Sequence, residues 1–263
     1  MKLKKILALI SAAAMALSLA SCGNQSASNE SDWDAIEGKG EMVVGITLFQ
    51  PMNYMEDGEL VGFETEFAQA VCEKLGVDAK FQEINWDSKE IELSSKNIDC
   101  IWNGMTITDD LKKNLSITKP YMENKQAIVA KQGSTYSSLE GLNIVTEAGS
   151  AGEELANEND DFKDAKVVGV DSQAKALMDL EMGTADAAVV DYVAAIGSIG
   201  EDTDFGDLVI LDNFEYMPEY YGIAFRKDSD AKDKVQEAID SLMSDGTVEQ
   251  IAEKYKLQDL IQK

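Results

Sequence analysis

Short apolar runs alternate with amphipathic segments along most of the chain, a pattern typical of α/β proteins with largely parallel sheets. The first half predicts strands at residues 42–47, 79–83 and 98–102 and helices at 64–75 and 89–95. The second half predicts strands at 143–146, 166–170, 187–190, 208–211 and 220–225, and helices beginning at residues 151, 172 and 192 and spanning 231–244 and 248–255. Two βα series of this length favour two lobes of about 100 residues each over one core.

The start of the chain has a different pattern. Three lysines precede an apolar run over residues 6–20, and small residues come directly before Cys22. The run is shorter than the ~20 residues of a transmembrane helix, so residues 1–21 are predicted to be a cleaved signal peptide. The end of this segment resembles the lipobox of bacterial lipoproteins. This resemblance implies that Cys22 is acylated, for example with palmitate. The alternative is an ordinary secretory signal with a coincidental cysteine. Residues 22–36 are predicted to form a flexible tether, because 23–31 are rich in Gly, Ser and Asn.

The formal net charge of −26 limits the possible partners. Nucleic acid is not expected to bind, because phosphate recognition needs a basic surface. The acidity itself is typical of a well-solvated exterior. No segment after the signal is long and apolar enough to span a membrane, so a role in transport would require separate permease and ATPase subunits.

Cysteine and histidine usage limits the chemistry. Beyond Cys22, the chain has only Cys72, on the apolar face of a helix, and Cys100, in a strand. Both positions favour free buried thiols, although a disulfide stays possible outside the cytoplasm. The chain has no histidine and no Cys-x-x-Cys, so the usual parts of a zinc site or a histidine-based triad are absent, and we expect no metal or cofactor.

Polar residues follow three of the predicted strands, at the carboxyl ends where open α/β sheets bind ligands. Asn103 to Thr106 come after the strand 98–102, Ser150 and Ala151 open a helix, and Asp191 follows the strand 187–190. Each group also has a structural explanation. The first could be an ordinary turn at Gly104, Ser150 could form a capping box with Glu153, and Asp191 could cap the next helix.

The residues from Asn103 to Leu111, with Gly62, Phe63, Glu64 and Asp99, closely resemble the polar amino-acid family of bacterial ABC-transporter substrate-binding proteins, solute-binding protein family 3. The resemblance extends over residues 42–255. It implies a periplasmic-binding-protein-like α/β fold in which two lobes are joined by two hinge strands, here around 124–129 and 217–223, with the ligand cleft between them.

The resemblance also assigns the segments of the chain. Lobe 1 would contain residues 37–124 and 222–263, and lobe 2 residues 125–221. The ligand-binding residues implied are Phe49, Trp86, Asn103, Gly104, Thr106, Ser150, Ala151 and Asp191. In this assignment the aromatic side chains cradle the ligand, the turn at Ser150 and Ala151 binds a carboxylate, and Asp191 pairs with an α-ammonium group.

Leu111 departs from the family pattern, which has an arginine there that clamps the ligand carboxylate. Either Lys112 or Lys113 substitutes for the arginine, or the ligand has no carboxylate, or the protein binds that carboxylate in a different way. With Glu147 and Asp191 present and no arginine opposite them, the net charge of the cleft would be negative. This suggests a cationic ligand such as a basic amino acid or an amine. Alternatively, Glu147 simply faces solvent.

These features predict a monomeric, non-enzymatic lipoprotein that captures a small polar solute, most simply an amino acid, and delivers it to an ABC permease. Its expected location is extracytoplasmic, with the outer face of a Gram-positive cell favoured over a periplasm. The alternatives are a small-molecule dehydratase on the same fold, or a protein that senses its ligand.

Overall fold

A computed structural model describes residues 31–200, 203 and 205–262. The predicted signal peptide and residues 22–30 of the predicted tether, including Cys22, lie outside these residues. In chain order the elements are α1 Asp32–Lys39, β1 Glu41–Ile46, β2 Tyr54–Glu56, β3 Glu59–Val61, α2 Phe63–Leu75, β4 Asp78–Glu83, α3 Lys89–Ser94, β5 Cys100–Ile101, α4 Asp109–Asn114, β6 Leu115–Ile117, β7 Met122–Asn124, β8 Gln126–Lys131, β9 Asn143–Glu147, α5 Ala151–Glu158, β10 Lys166–Val170, α6 Gln173–Met182, β11 Ala187–Asp191, α7 Tyr192–Ser198, β12 Leu208–Ile210, β13 Glu219–Tyr221, β14 Ala224–Arg226, α8 Ala231–Ser244 and α9 Thr247–Lys254.

Two five-stranded sheets form the two lobes, with strand orders β4-β1-β5-β14-β6 and β10-β9-β11-β8-β12. Three neighbouring strands in each sheet are parallel, as the βα series predicts. The fourth strand of each order, β14 or β8, runs antiparallel to its neighbours, so both sheets are mixed rather than largely parallel. These two strands are the ones that enter each sheet directly after the chain has passed between the lobes.

A two-stranded antiparallel ribbon, β7 with β13, lies at the passage between the sheets, and Glu219 pairs there with Asn124. We call it the hinge ribbon. The first hinge strand was expected around 124–129, but most of that range belongs to the second sheet, since β8 pairs with β11 and β12. The passage therefore occurs a few residues earlier, at Met122–Asn124.

Each lobe has an apolar core, and the core of the first lobe extends to Val193 and Ala194 of α7 in the second lobe. In the first lobe, side chains of α2 such as Phe67 and Val71 pack with Val235 and Ile239 of α8 and Ile251 of α9. The C-terminal helices thus complete the first lobe, although the second lobe precedes them in the chain. The core of the second lobe is divided between the two faces of its sheet.

The prediction of a flexible tether over residues 22–36 is wrong for its last five residues. Helix α1 begins at Asp32, and Trp33 and Ile36 are buried against the first lobe. An eight-residue helix is marginal in isolation, so this burial is what stabilises it. The Asp32 carboxylate also accepts a hydrogen bond of 2.9 Å from Arg226 Nε.

Two predicted strands are shorter in the structure. The strand expected at 98–102 retains only Cys100–Ile101, and the one expected at 220–225 is divided into β13 and β14. Gly222, between these two, donates its amide to the carbonyl of Met105. An added Cβ there would lie 2.8 Å from both Ile107 and Ile117 side chains. This close approach joins the segment that follows β5 to the hinge ribbon.

Candidate functional site

The candidate site lies between the lobes, beyond the carboxyl ends of β5, β9 and β11. A cavity of about 280 Å³ is lined from one side by Trp86, Asp87, Lys89, Glu90, Met105, Thr106, Thr108, Asp110 and Leu111, and from the other by Gly149, Ser150, Ala151 and Glu154. The lobes touch around it, since a Cβ added to Gly149 would lie 2.9 Å from the Cα of Asp87. The structure therefore has a closed cleft.

Asp191, the last residue of β11, is buried beside this cleft and held by three carboxamide side chains. Its Oδ1 accepts hydrogen bonds from Gln126 Nε2 at 2.5 Å and Asn124 Nδ2 at 3.0 Å, and its Oδ2 from Gln173 Nε2 at 2.7 Å. Burial raises the pKa of Asp191, and the hydrogen bonds from Gln173 and Gln126 oppose that rise. Although Asp191 precedes α7, its side chain makes no capping bond, so the capping alternative is wrong.

Glu219 is a second carboxylate at the same place, and sequence reasoning missed it. Its Oε1 accepts hydrogen bonds from Asn124 at 2.6 Å and Gln126 at 2.8 Å, the same amide nitrogens that bond Asp191, and from Thr106 Oγ1 at 2.8 Å. Burial raises the pKa of Glu219 to about 7, and the Asp191 charge adds to the rise. Two carboxylates that share donors in a buried site favour a cation between them or a proton on one of them.

Asn103 is placed in the wall of the cleft rather than on the cavity. Its Oδ1 accepts a hydrogen bond of 2.9 Å from Asn53 Nδ2, and its own Nδ2 donates to Thr47 Oγ1 at 2.6 Å. The side chain is therefore committed to neighbouring loops of the first lobe. These contacts fix the loop that presents Thr106 to the cavity.

Gly104 belongs to the same wall. Its amide donates a hydrogen bond of 2.8 Å to Glu64 Oε1, which also accepts from the Tyr121 hydroxyl. Burial raises the pKa of Glu64 to about 7, and hydrogen bonds from Tyr121, Gly104 and Asn53 oppose the rise. Gly104 has φ 55°, and a Cβ there would lie 3.0 Å from the Phe49 ring. Glycine is thus required for conformation and for space.

The two aromatic candidates have different positions. Trp86 is buried but contributes to the cavity wall. Phe49 is buried against Gly104 and is not among the residues that line the cavity. The structure therefore brings Trp86 together with Thr106, while Phe49 packs against the loop at Gly104.

Ser150 and Ala151 line the cavity from the second lobe at the start of α5. Ser150 Oγ accepts a hydrogen bond of 3.2 Å from the Glu153 amide, and Glu153 Oε2 accepts one of 2.8 Å from the Gly149 amide. The expected capping interaction is present, with the glutamate reaching the residue before Ser150. Both explanations of Ser150 are compatible with this geometry, because a capping residue at the cavity wall can also contact a ligand.

Leu111 lines the cavity, but the two lysines next to it do not. Lys112 Nζ pairs with Asp109 at 3.2 Å and Lys113 Nζ with Asp110 at 2.6 Å, on the exposed side of α4. Of the alternatives for the missing arginine, replacement by Lys112 or Lys113 is therefore not supported by the structure. Lys89 is the only basic residue among those that line the cavity.

The single arginine of the chain has a structural role. Arg226 donates to the carbonyls of Leu93 and Ile98 at 3.1 and 2.8 Å and pairs with Asp32 and Asp99. It thereby connects α1, the end of α3 and β14 within the first lobe, away from the cleft.

Glu147, the last residue of β9, is only 3% exposed, so the alternative that it faces solvent is wrong. Its Oε1 has no hydrogen-bonding partner among the residues that the structure describes. Burial raises the pKa of Glu147 to about 8, with a further rise from the Asp191 charge and an opposing effect of Lys89. The region behind the cavity is therefore acidic.

The cysteines, the possible metal ligands and the helix lengths bear on the remaining predictions from the sequence. Cys72 and Cys100 are free and buried, as their positions predict. Within residues 31–262, leaving out 201, 202 and 204, no three acidic, cysteine or histidine side chains come together as metal ligands. In the same part of the chain, no helix combines the length and the apolar content of a membrane span.

Two α/β lobes closed over a small polar cavity define a solute-binding protein of the periplasmic-binding-protein-like class. Residues 42–258 match the family model of the bacterial extracellular solute-binding proteins, family 3. The chain belongs to this family, and the fold predicted from the sequence is confirmed.

Relatives and solved structures agree with this assignment. The chain is 29% identical over 259 residues to the arginine-binding extracellular protein of Bacillus subtilis, covering 96% of this chain and 98% of the relative. It is 30% identical over 256 residues to the L-cystine-binding protein of Escherichia coli K12, covering 94% of each. A substrate-binding protein of an ABC uptake transporter from Streptococcus pneumoniae, solved with bound histidine, has a TM-score of 0.81 at 27% identity, covering 90% of this chain and all of that one.

Proposed function

We propose that this protein is a lipid-anchored, extracytoplasmic receptor that captures an amino acid between its lobes and delivers it to an ABC permease and its ATPase. The observation that carries the proposal is the buried Asp191 carboxylate at the end of β11, held by Gln126, Gln173 and Asn124 beside Glu219. No covalent step is involved. Contacts with both lobes at once stabilise the closed form.

Asp191 and Glu219 are suited to an ammonium group. Charge-assisted hydrogen bonds to a carboxylate are about twice as strong as neutral ones, and they are stronger still in a dry cleft. Thr106 attaches this site to the first lobe through its bond to Glu219. An ammonium bound here would therefore contact the hinge ribbon and both lobes.

A basic amino acid fits the charge of the site better than a neutral or acidic one. Asp191, Glu219 and Glu147 are acidic, and no arginine lines the cavity. The names of relatives point the same way, since they include binding proteins for arginine and for histidine. Cystine remains within the proposal, because another relative is named for it and cystine carries two ammonium groups.

Isothermal titration calorimetry would test the proposal with arginine, lysine, histidine, cystine, glutamine, glutamate and putrescine. We expect one of the amino acids with a second cationic or ammonium group to bind most tightly, and to be recovered unchanged. Asp191→Asn should weaken that binding by about 10- to 150-fold, the worth of hydrogen bonds to a charged group. Asp57→Asn, in the exposed turn between β2 and β3, is the matched control. Tight binding of glutamate alone, or turnover of the ligand, would contradict the proposal.

The proposed anchor has a separate test. Cys22 follows an apolar segment that ends in Leu-Ala-Ser, and lipid there would keep the receptor beside its permease. Cells given radiolabelled palmitate should label the wild-type protein, while Cys22→Ala should be unlabelled and released from the membrane. A wild-type protein that carries no label would refute the anchor without affecting the binding function.

Cell fractionation would decide between the favoured Gram-positive outer face and a periplasm. Gel filtration would test the expected monomer.

A further inference from the structure

Lys89 is a buried cation without an ion-pair partner among the described residues. It is 8% exposed, and its Nζ donates hydrogen bonds to the carbonyls of Gly149 at 2.8 Å and Trp86 at 3.3 Å. The same Nζ lies 4.8 Å from the centre of the Trp86 ring. These three contacts are neutral, and Lys89 forms no ion pair with any carboxylate in the described part of the chain.

This arrangement is costly without a further partner. An ammonium group has three donors, and the two carbonyls engage two of them. Burying a charge is unfavourable unless it is paired, and here burial lowers the pKa of Lys89 below its ordinary value. The Glu90, Glu147 and Asp87 carboxylates oppose that shift from a distance, without forming an ion pair. A carboxylate in the cavity would supply the missing contact.

Lys89 and the start of α5 are the parts of the cavity that favour a ligand carboxylate. Ser150 and Ala151 line the cavity at the first turn of α5, where backbone amides and the helix dipole favour an anion. Carboxylates also line the cavity, at Asp87, Glu90, Asp110 and Glu154, so Lys89 is the one lining side chain that can pair with an anion. Leu111, in the same cavity, contributes no charge. Thr106 connects the two ends of the site, because it lines this cavity and also donates to Glu219.

We infer that Lys89 is the specificity-determining residue that receives the carboxylate of the bound solute, so that the cleft selects amino acids over the corresponding amines. The inference rests on the proposed function, in which Asp191 and Glu219 hold the ammonium group. Lys89 lies in the first lobe and Gly149 in the second, so the carboxylate is bound by Lys89 in this way only when the lobes are closed.

The test compares each amino acid with the amine that differs from it only by loss of carboxylate: arginine with agmatine, histidine with histamine, and cystine, which loses two carboxylates, with cystamine. Calorimetry on the wild-type protein should show the amino acid of at least one pair bound about 10- to 150-fold more tightly than its amine. Lys89→Met should remove most of that preference, because it should lower the affinity for the amino acid while the affinity for the amine changes little. Lys112→Met, on the exposed side of α4, is the matched control and should retain the preference.

Two more variants separate recognition from structure. Lys89→Arg should retain a preference for the amino acid, because it keeps the charge. Lys89→Gln can still donate to the Gly149 carbonyl but has no charge, and it should lose the preference even if Lys89→Met fails to fold. Thermal unfolding of each variant without ligand reports on its folding.

The outcomes distinguish this inference from the proposed function. If Lys89→Gln weakened the binding of an amino acid and of its amine equally, the role of Lys89 would be only to connect the lobes. That result would overturn the inference but would not contradict the proposal that the protein binds amino acids. A wild-type protein that bound both members of a pair equally well would overturn it too. If no amino acid in the calorimetric panel bound, the proposed function would fail first, and the inference with it.

Discussion

Substitution of Gly197 by alanine tests the closed arrangement of the lobes directly. Gly197 lies in α7 of the second lobe and faces Pro51 of the first. An added Cβ would lie 2.3 Å from Pro51 Cδ, 2.6 Å from Pro51 N and 2.9 Å from the carbonyl carbon of Gln50. The proline ring and its backbone cannot rotate away as a flexible side chain would, so the lobes must separate locally.

Two opposing effects set the expected magnitude. Alanine is about 1 kcal/mol more favourable than glycine inside a helix, so α7 itself should not be weakened. Overpacking typically costs about 1–3 kcal/mol, and here the cost arises only when the lobes meet. Since ligand binding requires closure, a coupling of that size corresponds to an affinity about 5- to 150-fold weaker. The unfolding temperature of the ligand-free protein should stay the same or rise.

Calorimetry with the tightest-binding amino acid would give the affinity, and small-angle X-ray scattering would show whether saturating ligand still reduces the radius of gyration. Gly38→Ala is the matched control, because Gly38 also lies in a helix, α1, and no atom comes within 4 Å of its added Cβ. Wild-type affinity in Gly197→Ala would refute the reasoning. So would a lower unfolding temperature without ligand, since it would place the damage within a lobe.

Three further predictions concern stability and reactivity. Because burial raises the pKa of Glu147 from 4.5 to about 8, the folded state binds the extra proton, and the free energy of unfolding without ligand should fall as pH rises through that window; urea unfolding at pH 5, 6.5 and 8 should show a weaker dependence in Glu147→Gln, and an unchanged dependence would contradict the assignment. Arg226→Ala should lower the free energy of unfolding by about 1.5–3 kcal/mol, the value of hydrogen bonds to a charged group, because Asp32 and Asp99 lose Arg226 but keep Lys96 and Lys39 as partners; a loss under about 1 kcal/mol, the value of an exposed ion pair, would contradict the structural role. Burial raises the pKa of Cys72 to about 12 and that of Cys100 well above its ordinary value, so in a Cys22→Ala protein both thiols should react with a thiol reagent only after unfolding; rapid reaction of the folded protein would show that they are accessible.

Much of the fold could be predicted because the spacing of apolar residues along the chain follows from which face of each helix or strand is buried. Helix α2 has buried apolar residues at helical spacing, and β8 and β11 each contain four consecutive apolar residues, as is typical of strands buried on both faces. Helix α1 escaped prediction because its local composition is polar. Only Trp33 and Ile36 reach the core, and two apolar residues in a short acidic segment give no periodic signal.

The candidate site could be predicted only at the ends of regular strands. Thr106, Ser150 and Asp191 lie where such strands end, so the topology identified them. Glu219 and Lys89 could not be found in this way, because they come from the hinge ribbon and the first turn of a short helix. Each is an unremarkable charged residue in sequence. Their significance arises from burial and from shared partners, which only the three-dimensional arrangement reveals.

The hinge ribbon has a mechanical consequence. Asn124 and Glu219 face each other across it, and both reach the Asp191 site. In the proposed function, the groups that bind the ammonium of the solute therefore lie beside the segment about which the lobes would turn. A small displacement beside a hinge becomes a larger movement at the edges of the lobes that are far from it. A solute with a misplaced amine would thus be rejected by incomplete closure, before any contact at the rim had formed.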